Sequence, residues 1–176
     1  MTPQHLDSGP HIRRATPSDT RAVLGLFDDA VAWLVSIGSA EQWGSEPWST
    51  HPARRDHVTA MMSEDGAWVA ERDGSVVGAL VLGDAHDYVP AGDDELYVRL
   101  LIASRVPAAR GTGATLLRFA DEDARRAAVG RLRVDCYAGG AGRLVQFYES
   151  CGYVPADGFT VGQWPGQTLV RELGAH

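Results

Sequence analysis

Apolar residues recur along this chain with two alternating periods, and the points where the period changes divide it into elements. His11 to Ala15 reads as a short first strand. Thr16-Pro17-Ser18-Asp19 then announces a helix, because a Thr cap followed by Pro at the first helical position and Asp at the third satisfies or removes orphan donors. Val23, Leu26, Phe27, Ala30, Val31, Leu34 and Ile37 keep three-to-four spacing up to Gly38, which predicts an amphipathic helix against a core. The pattern breaks between Ser39 and Thr50, a loop that carries Trp43 and Trp48 beside Glu41 and Glu46. A second helix is predicted over Ala53 to Ser63. Ala67 to Glu71 and Val76 to Leu82 are β-rich runs joined by Arg72-Asp73-Gly74-Ser75, whose Asp-Gly pair signals a hairpin.

After a polar loop with Asp84, His86, Asp87, Asp93 and Asp94, a strand is predicted from Glu95 to Ala103. Its apolar end, Leu100-Leu101-Ile102-Ala103, suits burial on both faces. The helical period returns from about Gly113 to Ala128, with Leu116, Leu117, Ala120, Ala124 and Ala127 along one side and Gly130 as the stop. Leu132, Val134 and Cys136 alternate with Arg133, Asp135 and Tyr137, which predicts another strand. A short helix follows from about Gly142 to Ser150, and the remainder predicts two strands around a Trp164-Pro165-Gly166 turn. The order is strand, two helices, three strands, helix, strand, helix, two strands, with no internal repeat.

Composition narrows the functions that such a chain can carry. At 176 residues, 44% hydrophobic and 22% charged, it is expected to form one domain, residues 11–176, behind a loose tail over residues 1–10. A net charge of -7 argues against nucleic acid as a partner, since the basic footprint for phosphates is missing. All 16 basic residues are Arg, so a Walker A lysine and a Schiff-base lysine are both excluded. Cys136 and Cys151 are too few for a disulfide framework and lack zinc spacing. The beginning of the chain has no continuous apolar stretch, and no segment approaches the ~20 apolar residues of a membrane span. These features predict a reduced, cytoplasmic protein without a membrane or metal partner.

The chemistry concentrates between Glu95 and Leu117, where a strand runs into Arg110-Gly111-Thr112-Gly113 and then a helix. Glycines at alternate positions remove side chains that would hold a ligand away, and the unpaired amides at the start of the helix point at an anion. A second motif, Phe147-Tyr148-Glu149-Ser150-Cys151-Gly152-Tyr153, lies a helix and a strand downstream.

With these two motifs and this element order, the chain resembles the GNAT superfamily of N-acetyltransferases over nearly its whole length. Arg110-Gly111-Thr112-Gly113-Ala114-Thr115 matches the family's Arg/Gln-x-x-Gly-x-Gly/Ala pyrophosphate motif, with Thr115 where Gly or Ala is usual. Phe147 to Tyr153 resembles its Phe-Tyr-x-x-x-Gly-Phe signature. The resemblance implies an α/β (α+β) single domain. Its sheet would be mixed, mostly antiparallel and twisted, of about seven strands flanked by about four helices, with strands 4 and 5 splayed apart. It also implies acetyl-CoA as cosubstrate, an amine of a small molecule or peptide as acceptor, and homodimers as a common assembly.

Carried onto this sequence, the resemblance assigns the backbone of Leu101, Ile102 and Ala103 to the pantetheine arm, and Arg110, Gly111, Thr112, Gly113, Ala114 and Thr115 to the pyrophosphate. Arg105 is a further candidate for a CoA phosphate. Tyr148 is the expected general acid toward the departing thiolate. Glu95 is the first candidate base because it opens the cofactor strand, with Asp94, Glu41 and Glu46 as alternatives. Trp43, Trp48 and Glu41 are the first candidates for the acceptor pocket, within a set that also holds Trp33, Trp164, Glu46, Asp87 and Tyr88, since aromatic walls with carboxylates suit a cationic amine. Asp135 is a candidate for ordering the cleft. Cys151 reads as a small core residue. Gly139-Gly140-Ala141-Gly142 stands where the family often carries an Asn. A non-catalytic acyl-CoA-binding module of the same fold is the competing reading.

Overall fold

The alternation between Ala67 and Gly83 produces the hairpin that its Asp-Gly signal predicts: β2 (Ala67–Arg72) and β3 (Ser75–Gly83) pair antiparallel across Asp73 and Gly74, both at positive φ. The computed structural model describes residues 9–174, so the first eight residues of the expected tail lie outside the described residues. Around this hairpin the chain adds β1 (His11–Arg14), β4 (Glu95–Ala103), β5 (Arg131–Tyr137), β6 (Val154–Val161) and β7 (Trp164–Glu172). The helices are α1 (Thr20–Ser36), α2 (Pro52–Met62), α3 (Thr112–Arg126) and α4 (Arg143–Ser150). The seven strands form one sheet in the order β1-β2-β3-β4-β5-β7-β6. All neighbours are antiparallel except β4 and β5, which run parallel. This is the architecture the family resemblance implies.

The helices cover the two faces of the sheet, and each face has its own apolar cluster. On one face α1 and α2 bury Val23, Phe27, Val58 and Met62 against Val69, Ala79, Val81 and Ile102. On the other, α3 and α4 bury Leu116, Ala120 and Tyr148 against Leu80, Val98, Leu132 and Val134. Each fully buried Leu, Val or Phe stabilises the fold by about 1.5–3 kcal/mol. The α1 stripe read from the sequence is the buried one, with Val23, Leu26, Phe27, Val31 and Leu34 all inside. Its start is a 3-10 turn over Pro17–Asp19, in which the Asp19 carboxylate accepts the Thr16 N–H at 2.8 Å. Arg13 on β1 donates to both oxygens of Asp19 at 2.8 and 2.9 Å and pairs with Glu71 on β2, fixing helix to sheet.

One turn falls elsewhere than the sequence predicts. Trp164, Pro165 and Gly166 belong to β7, and the chain reverses at Gly162, whose φ is +59°. Proline is tolerated there because it is the second residue of the strand, opposite Thr160, while its carbonyl accepts the Ala138 N–H at 3.0 Å.

Candidate active site

The site follows from one interruption in the sheet. Parallel pairing of β4 with β5 runs from Glu95↔Arg131 to Val98↔Val134 and stops there. A bulge in β4 accompanies the separation, since the register with β3 shifts between Val81↔Leu100 and Leu82↔Val98 and leaves Arg99 over. Leu101, Ile102 and Ala103 stay paired with β3 on one side but have no strand partner on the side of β5. A cavity of about 610 Å³ opens in the gap, and these three residues line it.

The glycine loop forms the adjoining wall. After β4 the chain turns through a 3-10 segment, Pro107–Ala109, and Gly111 caps α3 at φ +85° without any side-chain cap. The first-turn amides of Thr112, Gly113 and Ala114 therefore lack intrahelical acceptors and sit at the positive end of the helix. Gly113 packs closely on α4: a Cβ there would stand 3.2 Å from Cζ of Phe147, so that ring would have to give by a few tenths of an ångström. The Thr115 N–H is already bonded to the Gly111 carbonyl at 3.0 Å, and the Thr115 hydroxyl accepts from Arg118 at 2.9 Å. The Thr112 side chain is buried toward the sheet, its hydroxyl donating to the Ala109 carbonyl at 2.6 Å. Of the expected loop, Arg110, Gly111, Gly113 and Ala114 line the cavity, whereas Thr112 and Thr115 do not.

Three guanidiniums stand at this cavity without a carboxylate partner among the described residues: Arg105, Arg110 and Arg143. Arg105 lies 3.4 Å over the Trp33 ring, with the Arg143 guanidinium 5.6 Å from the same ring. Burial, and then the like charge of Arg143, push the Arg105 pKa down, yet a guanidinium remains charged. Arg143 had no signal in the sequence, because its proximity to Arg105 depends on the cleft bringing α4 beside the end of β4. Unfilled amides, a closely packed glycine and unneutralised guanidiniums together fit a phosphate-bearing cosubstrate with an extended arm along β4.

Tyr148 on α4 lines the same cavity and is 6% exposed. Burial, with a smaller contribution from Cys136, raises its pKa well above that of a free phenol, so its hydroxyl keeps its proton. Cys151 is half-buried and Cys136 buried, both free thiols. Burial pushes the Cys136 thiol up to about 12, leaving it inert as a nucleophile.

The remaining expectations are divided by the structure. Trp43 lines the cavity, but Trp48 stacks on Phe27 at 4.2 Å with its ring planes 8° apart, and Glu41 is exposed in the loop away from the lining. Glu95 sits at the paired end of β4, where its carboxylate accepts from Arg133 and from the Gly92 N–H, both at 2.8 Å. Its side chain is 7% exposed and does not reach the cavity. Asp94 is likewise occupied, accepting the Gly130 N–H at 3.1 Å.

The family model for the GNAT acetyltransferases matches residues 31–153. This chain belongs to the GNAT acetyltransferase family. It is an acyltransferase with the family's fold, and solved structures show how widely that fold is shared. The ribosomal-protein-alanine N-acetyltransferase from Brucella melitensis is 24% identical, with 92% of this chain and 99% of that one covered at a TM-score of 0.65. The PaiA N-acetyltransferase from Thermoplasma acidophilum, in complex with coenzyme A, is 15% identical over 94% and 99% of the two chains, at a TM-score of 0.71. A putative acetyltransferase, yncA, from Salmonella typhimurium with acetyl-CoA is 20% identical over 96% of each chain, at 0.65. No curated protein matches the sequence. No helix among the described residues is long and apolar enough to cross a membrane, and no group of three or more His, Cys, Asp or Glu among them is arranged to hold a metal.

Proposed function

We propose that this protein is an N-acetyltransferase that moves the acetyl group of acetyl-CoA onto a primary amine of a small molecule or peptide, by direct attack in a ternary complex. The observation that carries the reading is the junction of three features in one cavity: unpaired β4 backbone at Leu101 to Ala103, the open amides of Gly113 and Ala114, and the protonated Tyr148 hydroxyl. Acetyl-CoA supplies the activated acyl group. The helix amides together with Arg110, Arg105 and Arg143 hold its phosphates, and the exposed edge of β4 aligns its arm. A backbone N–H near Leu101 or Ile102 polarises the carbonyl, an arrangement that stabilises developing charge in a low-dielectric gap. Tyr148 donates its proton to the departing thiolate and is reprotonated by the proton that the amine nitrogen sheds as the amide forms. Two free thiols support work in a reducing, cytoplasmic compartment.

The test is acetyl-CoA turnover over a broad panel of amines, read as release of the CoA thiol. Tyr148→Phe should lower kcat by about 10²–10⁴-fold, the usual contribution of a positioned acid, with CoA affinity unchanged. CoA binding by calorimetry with no turnover over the whole panel would instead establish an acyl-CoA-binding module.

A further inference from the structure

Beyond the last paired residues of β4 and β5, the first β5 side chain on the α1 and α2 side of the sheet is Asp135. It lies just outside the cavity lining, two residues before Tyr137, which shares its strand face and does line the cavity. Two phenols hold the carboxylate from different segments. Tyr97 on β4 donates to Oδ1 at 2.5 Å, and Tyr88, from the loop between β3 and β4, lies 3.2 Å from Oδ2. Tyr97 is fully buried, and burial, reinforced by Asp135, raises the pKa of both phenols. They remain donors to the Asp135 carboxylate.

No cation neutralises that charge among the described residues. The nearby arginines are engaged elsewhere, Arg99 with Glu64 at 2.7 Å and Arg133 with Glu95 at 2.8 Å. A carboxylate has about four lone-pair sites, and two phenols leave room for a further donor. Aromatic rings make up much of the remaining surroundings. Ring contacts run from Tyr137 through Trp164 and Phe159 to Tyr88, then through His86 back to Tyr97, with successive centroids 5.1–6.2 Å apart. The chain of rings thus begins at the cavity wall and ends at the phenol that holds Asp135. An anion beside the negative faces of aromatic rings lacks only a cation with an apolar body.

We infer that Asp135 is the acceptor anchor: its carboxylate takes the ammonium group of a primary amine whose apolar body lies against Tyr88, Phe159 and Trp164, and accepts the ammonium proton that must leave before the nitrogen can attack the thioester. This rests on the N-acetyltransferase reading and replaces Trp48 and Glu41 with a carboxylate and rings that the fold actually brings together.

Binding of 2-phenylethylamine and other primary amines to the full-length protein saturated with CoA, each compared with its alcohol isostere, tests the assignment. The wild type should prefer the charged member by about tenfold or more, the scale of one well-placed charge-assisted contact. Asp135→Asn, which keeps the shape and still accepts from Tyr97, should bring the two members to within about twofold while CoA affinity stays unchanged. Asp135→Glu should restore part of the preference, which damage to packing would not allow. A preference retained in Asp135→Asn overturns the inference, as does a wild type without preference across the panel. A wild type that fails to bind CoA overturns the N-acetyltransferase reading instead.

Discussion

Arg133 and Arg105 occupy the two ends of the same junction between β4 and β5, and they are treated in opposite ways. Where the strands pair, Arg133 is 13% exposed, bonded to Glu95 at 2.8 Å and set beside the Tyr97 ring. Where the strands part, Arg105 stacks on Trp33, faces the like charge of Arg143 and pairs with no carboxylate among the described residues. The chain has 23 acidic residues, enough to neutralise all its arginines, so the difference reflects placement and not supply. A paired arginine holds the sheet together, and an unpaired cluster at a cavity stores electrostatic attraction for an incoming anion. The chain's overall charge conceals this locally positive mouth.

The largest effect should come from dismantling the unpaired end. Hydrogen bonds to charged groups contribute roughly 1.5–3 kcal/mol each, so Arg105→Ala with Arg143→Ala should weaken CoA binding by about a hundredfold or more. Thermal stability should barely change, because neither guanidinium bonds to a protein carboxylate. Calorimetry with CoA checks the first expectation and melting the second. A double variant that melted early and bound CoA normally would reverse the roles assigned to the two ends.

The paired end should show the converse. Arg133→Ala leaves the Glu95 carboxylate, 7% exposed, with only the Gly92 N–H, and breaking a buried pair in this way costs about 3 kcal/mol. At roughly 2–4 °C per kcal/mol for a domain of this size, melting should fall by about 6–12 °C. CoA affinity of the folded protein should be unaffected.

The same contrast explains what could be read from the sequence. Local patterns were legible: the three-to-four spacing of Val23 to Leu34, the Asp73-Gly74 turn and the glycines of Gly111 and Gly113 each act within a few residues. The cavity wall made by the end of β4 and the glycine loop is built mostly from such contiguous motifs, so most of its lining was visible in advance. The cluster around Asp135 is different: its members could be named singly, but not their meeting. Tyr97 and Tyr88 meet Asp135 across 38 and 47 residues, and that encounter exists only because β4 and β5 pair for four residues and then diverge. For Glu95 the position on β4 could be read from the sequence, but the parallel register that places Arg133 within reach of it could not. Pro165-Gly166 looked like a turn because punctuation residues carry no record of which strand edge they occupy.

A third arginine, Arg13, gives the smallest effect and the sharpest check that paired arginines are structural. It holds Asp19 through two hydrogen bonds, and these bonds lower the Asp19 pKa below its usual value of 3.8. A folded-state pKa depressed in this way stabilises the protein above the unfolded-state value, and the contribution disappears as pH falls through the folded-state value. Asp19→Asn should therefore cost stability at pH 7, on the order of 1 kcal/mol given that Arg13 is one-third exposed and solvent-screened. Below the folded-state pKa the wild-type carboxyl is itself neutral, and the two proteins should converge. Urea melts of both proteins from pH 7 downward would show this convergence. A stability gap that persisted into strong acid would mean that Asp19 acts through its capping geometry at Thr16, and that Arg13 is less a partner than a neighbour.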